Sequence, residues 1–227
     1  MRIPRPGAVM VITALFCTLA ACSTGMSVHT SGSDTGDGSP VVFRVSTGDP
    51  VVFLTIDDGA VRDPDMLTVL KAAEVPASLF LTADYAADDP EFFRRLRDEA
   101  GARIETHGID HSDLRGRGLA EQKRRICRPA EDYKRMFGKR PELFRPPYGS
   151  YGETTLKAAE KCGVSHVVHW SAEIKEGEMS FANADRLRPG DIVLMHFGEN
   201  FGADVREFVE QADRAGLRPA LLENYLS

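Results

Sequence analysis

The chain has one tryptophan, four cysteines and no apolar run long enough to cross a bilayer comfortably. It has no internal repeat. Its basic residues are scattered, with no stripe of arginines and lysines interleaved with aromatics, which excludes a nucleic-acid partner. The basic residues that do cluster, from Arg124 to Arg135, are mixed with Glu121, Glu131 and Asp132 and read as a solvated helix face. The cysteines have no local metal-binding spacing, so a cysteine-bound zinc is discounted.

What is present begins with a leader. Met1 to Ala21 carries Arg2 and Arg5 and then an apolar run from Ala8 to Ala20, the pattern of an export signal rather than a membrane span. It ends in Leu19-Ala-Ala-Cys22, which resembles a bacterial lipoprotein cleavage box, with Cys22 as the lipidated first residue of the mature chain. An ordinary signal peptide with a cysteine near the cut is the other reading. Residues 22–40 are rich in Ser, Gly, Thr and Asp, and read as a flexible tether. The expected location is therefore outside the cell, lipid-anchored on the outer face of the membrane or secreted, with the membrane met through the anchor only. Removing the leader leaves 26 basic and 34 acidic residues, so a net charge of −6 becomes −8.

Residues 41–227 are enough for one domain with a real core. Cys127 and Cys162 remain there. An even pair in an exported chain is a candidate disulfide, with two buried thiols as the rival reading. Short apolar runs at Val51–Ile56, Ala77–Thr82, Arg103–Thr106, Leu143–Arg145, Ser165–His169, Asp191–His196 and Pro219–Leu222 read as strands, and Val41–Val45 as an extra edge strand. Helices are expected at Pro64–Ala73, Pro90–Ala100, Leu119–Phe137, Tyr151–Cys162 and Ala203–Ala215. Alternation of this kind implies a parallel α/β sheet, open or closed into a barrel.

The unusual polar residues fall at or just after strand ends, where parallel α/β folds bind ligands. Asp57 and Asp58 end the run Val51-Val-Phe-Leu-Thr-Ile. Two adjacent carboxylates there repel each other and are costly to desolvate. His107-Gly-Ile-Asp-His111 puts two imidazoles one helical turn apart, a spacing that suits a divalent metal but lacks the glutamate of zinc proteases. Asp58 completes a three-ligand set with open positions, which is the usual form of a catalytic zinc site. Asp57 is then free to act as a base toward water, and Arg145 to orient it through a bidentate pair. His196 ends another buried strand and suits a general acid toward a departing amine. A backbone N–H at Tyr148 suits an oxyanion.

In order along the chain, Thr55-Ile-Asp-Asp-Gly59, His107-Gly-Ile-Asp-His111, Arg145-Pro-Pro-Tyr148 and Leu194-Met-His196 resemble the motifs of the NodB-homology polysaccharide deacetylases, carbohydrate esterase family 4. The resemblance implies a single catalytic domain folded as a distorted (β/α)7-type barrel. It implies Asp57 as base, and Asp58, His107 and His111 as ligands of Zn2+ or another divalent ion such as Co2+. Arg145 then orients the base, Tyr148 supplies an oxyanion N–H, Leu194 lines the acetyl pocket and His196 is the acid. The implied reaction removes N-acetyl groups from a chitin-oligosaccharide or peptidoglycan-like glycan, and a monomer is expected. The alternatives are an O-acetyl (xylan-type) esterase on the same scaffold and a catalytically weak glycan-binding lipoprotein. Two departures stand out. Gly108 replaces a common Ser or Thr. In Trp170-Ser-Ala-Glu173-Ile-Lys-Glu-Gly177, glutamates replace two aspartates and a tryptophan is missing; Glu173 is expected to reach the histidine that the family's first aspartate tunes.

Overall fold

A computed structural model describes residues 38–226. The expected leader, Cys22 and most of the tether lie outside the described residues. In chain order the elements are β1 (Val41–Val42), β2 (Val51–Asp58), α1 (Asp65–Ala73), β3 (Ala77–Leu81), α2 (Ala83–Asp88), α3 (Pro90–Ala100), β4 (Arg103–Thr106), α4 (Leu119–Phe137), β5 (Leu143–Phe144), α5 (Glu153–Lys161), β6 (His166–Val168), β7 (Ala172–Lys175), β8 (Glu178–Phe181), β9 (Ile192–His196), α6 (Phe201–Ala215) and β10 (Arg218–Pro219). Single 3₁₀ turns follow β5 and β10, at Pro147–Gly149 and Leu222–Asn224.

The strands form one curled sheet in the order β1-β6-β5-β4-β3-β2-β9-β7-β8, with β10 also pairing β2. All strand pairs are parallel except the β7–β8 hairpin. The chain after β1 bridges to the start of β9, where Val45 N–H donates to Gly190 O at 2.9 Å. Gly190 has φ +87°, and a Cβ there would lie 2.0 Å from the Val45 carbonyl oxygen, so this closure requires glycine.

Alternation along β2 sorts its side chains into two cores. Val52, Leu54 and Ile56 pack outward with Leu67 and Leu70 of α1, Phe93 of α3 and Phe208 of α6. Val51 and Phe53 point inward with Phe80 of β3, Ile192 of β9 and Leu222. A strand buried on both faces reads as an unbroken apolar run, which is why β2 is so legible. The same period of two carries Thr55 and then Asp57 inward at the carboxyl end of the strand.

The expected strands and helices are present with end shifts of a few residues, except that the strand expected at Pro219–Leu222 shrinks to Arg218–Pro219 and Leu222 instead opens a 3₁₀ turn. The edge strand stops at Val42, because Phe43 is exposed and Arg44 turns to Asp191. Two things were not expected. Helix α2 is short and follows β3 almost directly. The β7–β8 hairpin makes the sheet mixed, and Glu176 (φ +56°) with Gly177 (φ +78°) forms its two-residue turn, the left-handed geometry that suits twisted hairpins. Cys127 of α4 and Cys162, at the end of α5, are joined by a disulfide. Among the described residues, no helix is long and apolar enough to cross a membrane.

Candidate active site

Asp57 reaches the rim of the barrel as the last inward residue of β2 and is buried. Arg145 arrives just after β5 and is completely buried, so its charge needs fixed partners. Its Nη1 donates to Asp57 Oδ1 at 2.7 Å and to Thr55 Oγ1 at 2.9 Å. Its Nη2 donates to the His169 carbonyl at 3.0 Å and its Nε to the Val168 carbonyl at 3.3 Å. The guanidinium lies over the Phe80 ring, 4.4 Å from its centroid. The expected bidentate pair is therefore corrected to a single hydrogen bond. The second arm of the fork is taken by the strand-end carbonyls of β6, which lock Arg145 in place and leave Asp57 Oδ2 unpaired by it.

Asp58 follows on the same strand, and plain alternation would send it to the helix side. Its φ of +76° breaks the alternation. A non-glycine residue there stores roughly 1–3 kcal/mol of strain, which persists where the surroundings dictate it. The carboxylate comes to lie with Oδ1 3.6 Å from His107 Nε2 and 3.6 Å from His111 Nε2. The two histidines sit in the loop after β4, not on a helical turn as their spacing suggested. Gly108 between them has φ +91°, which accounts for glycine where a hydroxyl residue was expected. The bracing hydroxyl comes instead from Thr106, whose Oγ1 accepts from Gly108 N–H at 3.1 Å. Arg125 of α4 holds Asp110 at 2.7 Å and fixes the far side of the loop.

His107 Nδ1 lies 2.7 Å from the Arg145 carbonyl. A carbonyl only accepts, so Nδ1 carries the proton and Nε2 presents its lone pair to Asp58. Burial pushes the His107 pKa down, against the pull of Asp57 and Asp58. Asp58 Oδ1 is buried without a hydrogen-bond donor. A lone pair facing a buried, donorless carboxylate oxygen is repulsive unless a cation lies between them. The ligand atoms of Asp58, His107 and His111 all lie within 4.8 Å of one another, and this donor set suits zinc or a similar divalent ion.

A pocket of about 270 Å³ opens above these groups, lined by Asp57, His107, His111, Tyr148, Trp170, Glu173, Leu194 and His196, with Pro146 and Gly149. β9 pairs with β2 so that His196 stands opposite Asp57, and β7 pairs with β9 so that Glu173 stands opposite Leu194. Every expected catalytic, substrate and metal residue thus lines this pocket or, like Asp58 and Arg145, supports it. Tyr148 has φ +61°, is largely exposed and packs edge-on against His111, 4.3 Å between centroids. Trp170, the only tryptophan, both packs against the inner core and forms a wall of the pocket, and it stacks on His169. Burial, with Arg145 nearby, pushes His169 down to about 4, so this imidazole is neutral. Sequence reasoning passed over His169, whose carbonyl helps fix Arg145; a histidine at the end of an apolar strand was the available signal. It also missed Asp204 of α6.

The family model described as polysaccharide deacetylase matches residues 44–167. An uncharacterised protein of Streptomyces coelicolor is 42% identical, over 82% of this chain and 77% of its own length. A chitooligosaccharide deacetylase of Sinorhizobium fredii is 32% identical, over 69% of this chain and 76% of its own. Among solved structures, a family 4 carbohydrate esterase from Streptomyces lividans, in complex with acetate, superposes with a TM-score of 0.66 at 27% identity, covering 76% of this chain and 93% of that one.

Proposed function

The chain belongs to the polysaccharide deacetylase family, carbohydrate esterase family 4, and from that premise we propose that it hydrolyses N-acetyl groups on an extracellular glycan of chitin-oligosaccharide or peptidoglycan type. The observation that carries this reading is the donorless Asp58 oxygen, 3.6 Å from the Nε2 atoms of both His107 and His111, beside an Asp57 held by a fully buried arginine. Asp58, His107 and His111 would hold a divalent cation, which would supply Lewis-acid polarisation of the acetyl carbonyl and a more acidic attacking water. Asp57, fixed by Arg145, takes the water's proton through the oxygen that Arg145 leaves free. His196, across the pocket from Asp57, returns a proton to the departing amine. The Tyr148 backbone N–H helps hold the oxyanion, and Leu194 lines the space for the acetyl methyl group. Export and a lipid anchor at Cys22 are part of the proposal, supported by the cleavage box and by a disulfide of the kind that oxidising compartments favour.

The test is acetate release from acetylated chito-oligosaccharides and peptidoglycan fragments by the purified chain, with zinc or cobalt and again with a chelator. Metal-dependent release is expected. An amide leaving group needs more acid help than an ester, so His196→Ala is expected to damage amide turnover more than turnover of acetylated xylan. Equal loss on both removes that role from His196. No release from any acetylated glycan by a metal-loaded chain overturns the enzymatic reading in favour of glycan binding.

A further inference from the structure

Family resemblance assigns Glu173 as the carboxylate partner of His196, but Glu173 makes no side-chain hydrogen bond and no ion pair among the described residues. A second acid, Asp204, shares a cavity wall with His196. Beside the catalytic pocket lies a second cavity of about 310 Å³, lined by His196 and Gly198, by Glu199 and Asn200 of the following loop, by Asp204 of α6, and by Glu173, Ile174, Lys175 and Glu176 of the hairpin. His196 therefore forms part of the wall of both. Of the carboxylates around this second cavity only Asp204 is buried; Glu173 is half-buried, and Glu176 and Glu199 are exposed.

Asp204 is also the most rigidly held. It stands in the first turn of α6, and its Oδ1 accepts from Gly177 N–H at 2.7 Å, tying the tip of the β7–β8 hairpin to the helix. Its Oδ2 has no hydrogen bond among the described residues. Burial raises the Asp204 pKa, while the Gly177 N–H and the charge of His196 act against that rise. The other charges facing His196 are Asp57 from β2, Glu173, Lys175 and Glu176 from the hairpin, and Glu199 from the loop, with the metal-site histidines on the far side of the pocket. The exposed members are screened by solvent; the buried one is not.

We propose that Asp204, not Glu173, is the positioning residue whose negative charge acts on His196 across their shared cavity and readies it to protonate the leaving amine. Its place on the helix and its hold on the Gly177 turn couple the hairpin to the acid. This proposal rests on the deacetylase reading for its consequence but not for its test. Asp204→Asn keeps an acceptor for Gly177 N–H and removes only the charge.

In zinc-free full-length protein, with the His196 signal assigned by its loss in His196→Gln, the ring ¹⁵N shifts of His196 at a fixed pH are expected to move toward the neutral imidazole in Asp204→Asn. In the zinc-loaded protein, amide kcat is expected to fall about tenfold with KM little changed, the size of one lost charge contact. Asp204→Ala, which gives up the hairpin bond as well, is expected to move the ¹⁵N signal no further. Two results overturn the proposal: a His196 signal that moves in Asp204→Ala but not in Asp204→Asn, which makes the role structural, or one that moves in Glu173→Gln and not in Asp204→Asn. If the chain releases no acetate, the nitrogen shifts still decide the pairing.

Discussion

The barrel holds two pairs of acids, one at the rim and one toward the base. At the rim, Asp57 and Asp58 end β2. Toward the base, the side chain of Glu105 of β4 reaches the start of β5, and Glu223, just after β10, takes a hydrogen bond from Ser78 Oγ of β3 at 2.9 Å. Glu105 Oε2 accepts from the backbone N–H groups of Glu142 at 2.8 Å and Leu143 at 2.7 Å. Among the described residues neither base acid forms an ion pair. Burial, with Glu223 adding to it, lifts Glu105 to about 8, and burial raises Glu223 as well. The rim acids meet the guanidinium of Arg145 and two imidazoles. Two pairs of the same residue class are thus put to different uses by their partners: hydrogen-bonded to backbone and hydroxyl groups, with raised pKa values, at the base, and set against a guanidinium and two imidazoles at the rim.

The largest effect expected at the rim is from Asp58→Asn. The amide keeps the shape but loses the anionic ligand, so zinc affinity should fall by roughly a hundredfold or more. Acetate release should fall to the level of the chelated enzyme, while thermal stability changes little or rises as the strained, repelled charge is lost. Isothermal titration with zinc against melting temperature checks this. Zinc bound as tightly as in the unmodified chain would break the distinction between the two ends, because Asp58 would then be no more a ligand than Glu223.

Next comes Arg145. Arg145→Ala leaves Asp57 buried and unpaired and should cost about 3–5 kcal/mol of stability. Adding Asp57→Asn removes the orphaned charge, so the double variant should recover part of that loss while remaining inactive. Urea unfolding of the two single variants and the double variant reads the coupling. Strict additivity would mean that the 2.7 Å contact between Arg145 Nη1 and Asp57 Oδ1 is not what holds the rim charge.

Much of the rim is written in the sequence, and little of the base. Asp57, Asp58, Arg145 and His196 each interrupt or end an apolar run, so their cost to the core makes them conspicuous. The strands β2, β3 and β9 are legible for the same reason. Glu105 sits in Arg-Ile-Glu-Thr, where an acid in a short mixed run reads as solvent-facing; only its hydrogen bonds from Glu142 and Leu143 N–H show otherwise. Asp204 was hidden because an acid in the first turn of a helix ordinarily complements the helix dipole. The hairpin was hidden because Ala172–Phe181 mixes charges with apolar residues and its one firm signal is the Glu-Gly turn. The His107–His111 spacing suggested a helical turn, but the left-handed backbone at Gly108 brings the rings together instead.

The smallest expected effect is also the one that isolates the base from the rim. An unfolded carboxyl loses its proton near its ordinary value of 4.5, while folded Glu105 keeps one until about 8. Between those values the native chain binds more protons than the unfolded chain, so stability falls as pH rises, by up to about 1.4 kcal/mol per pH unit for one such proton. Above about 8 both states are ionised and this fall levels off; below 4.5 both are protonated and the site costs nothing. Glu223→Gln removes one of the two carboxyls and the charge that raises Glu105, so the slope should become shallower. The difference should be least near pH 5 and greatest toward pH 8. Urea midpoints across that range, measured with a chelator so that metal binding does not contribute, give the comparison. A Gln variant that keeps the original slope would place the pH dependence elsewhere, and the base acids would lose their claim to be the protonated counterpart of the rim.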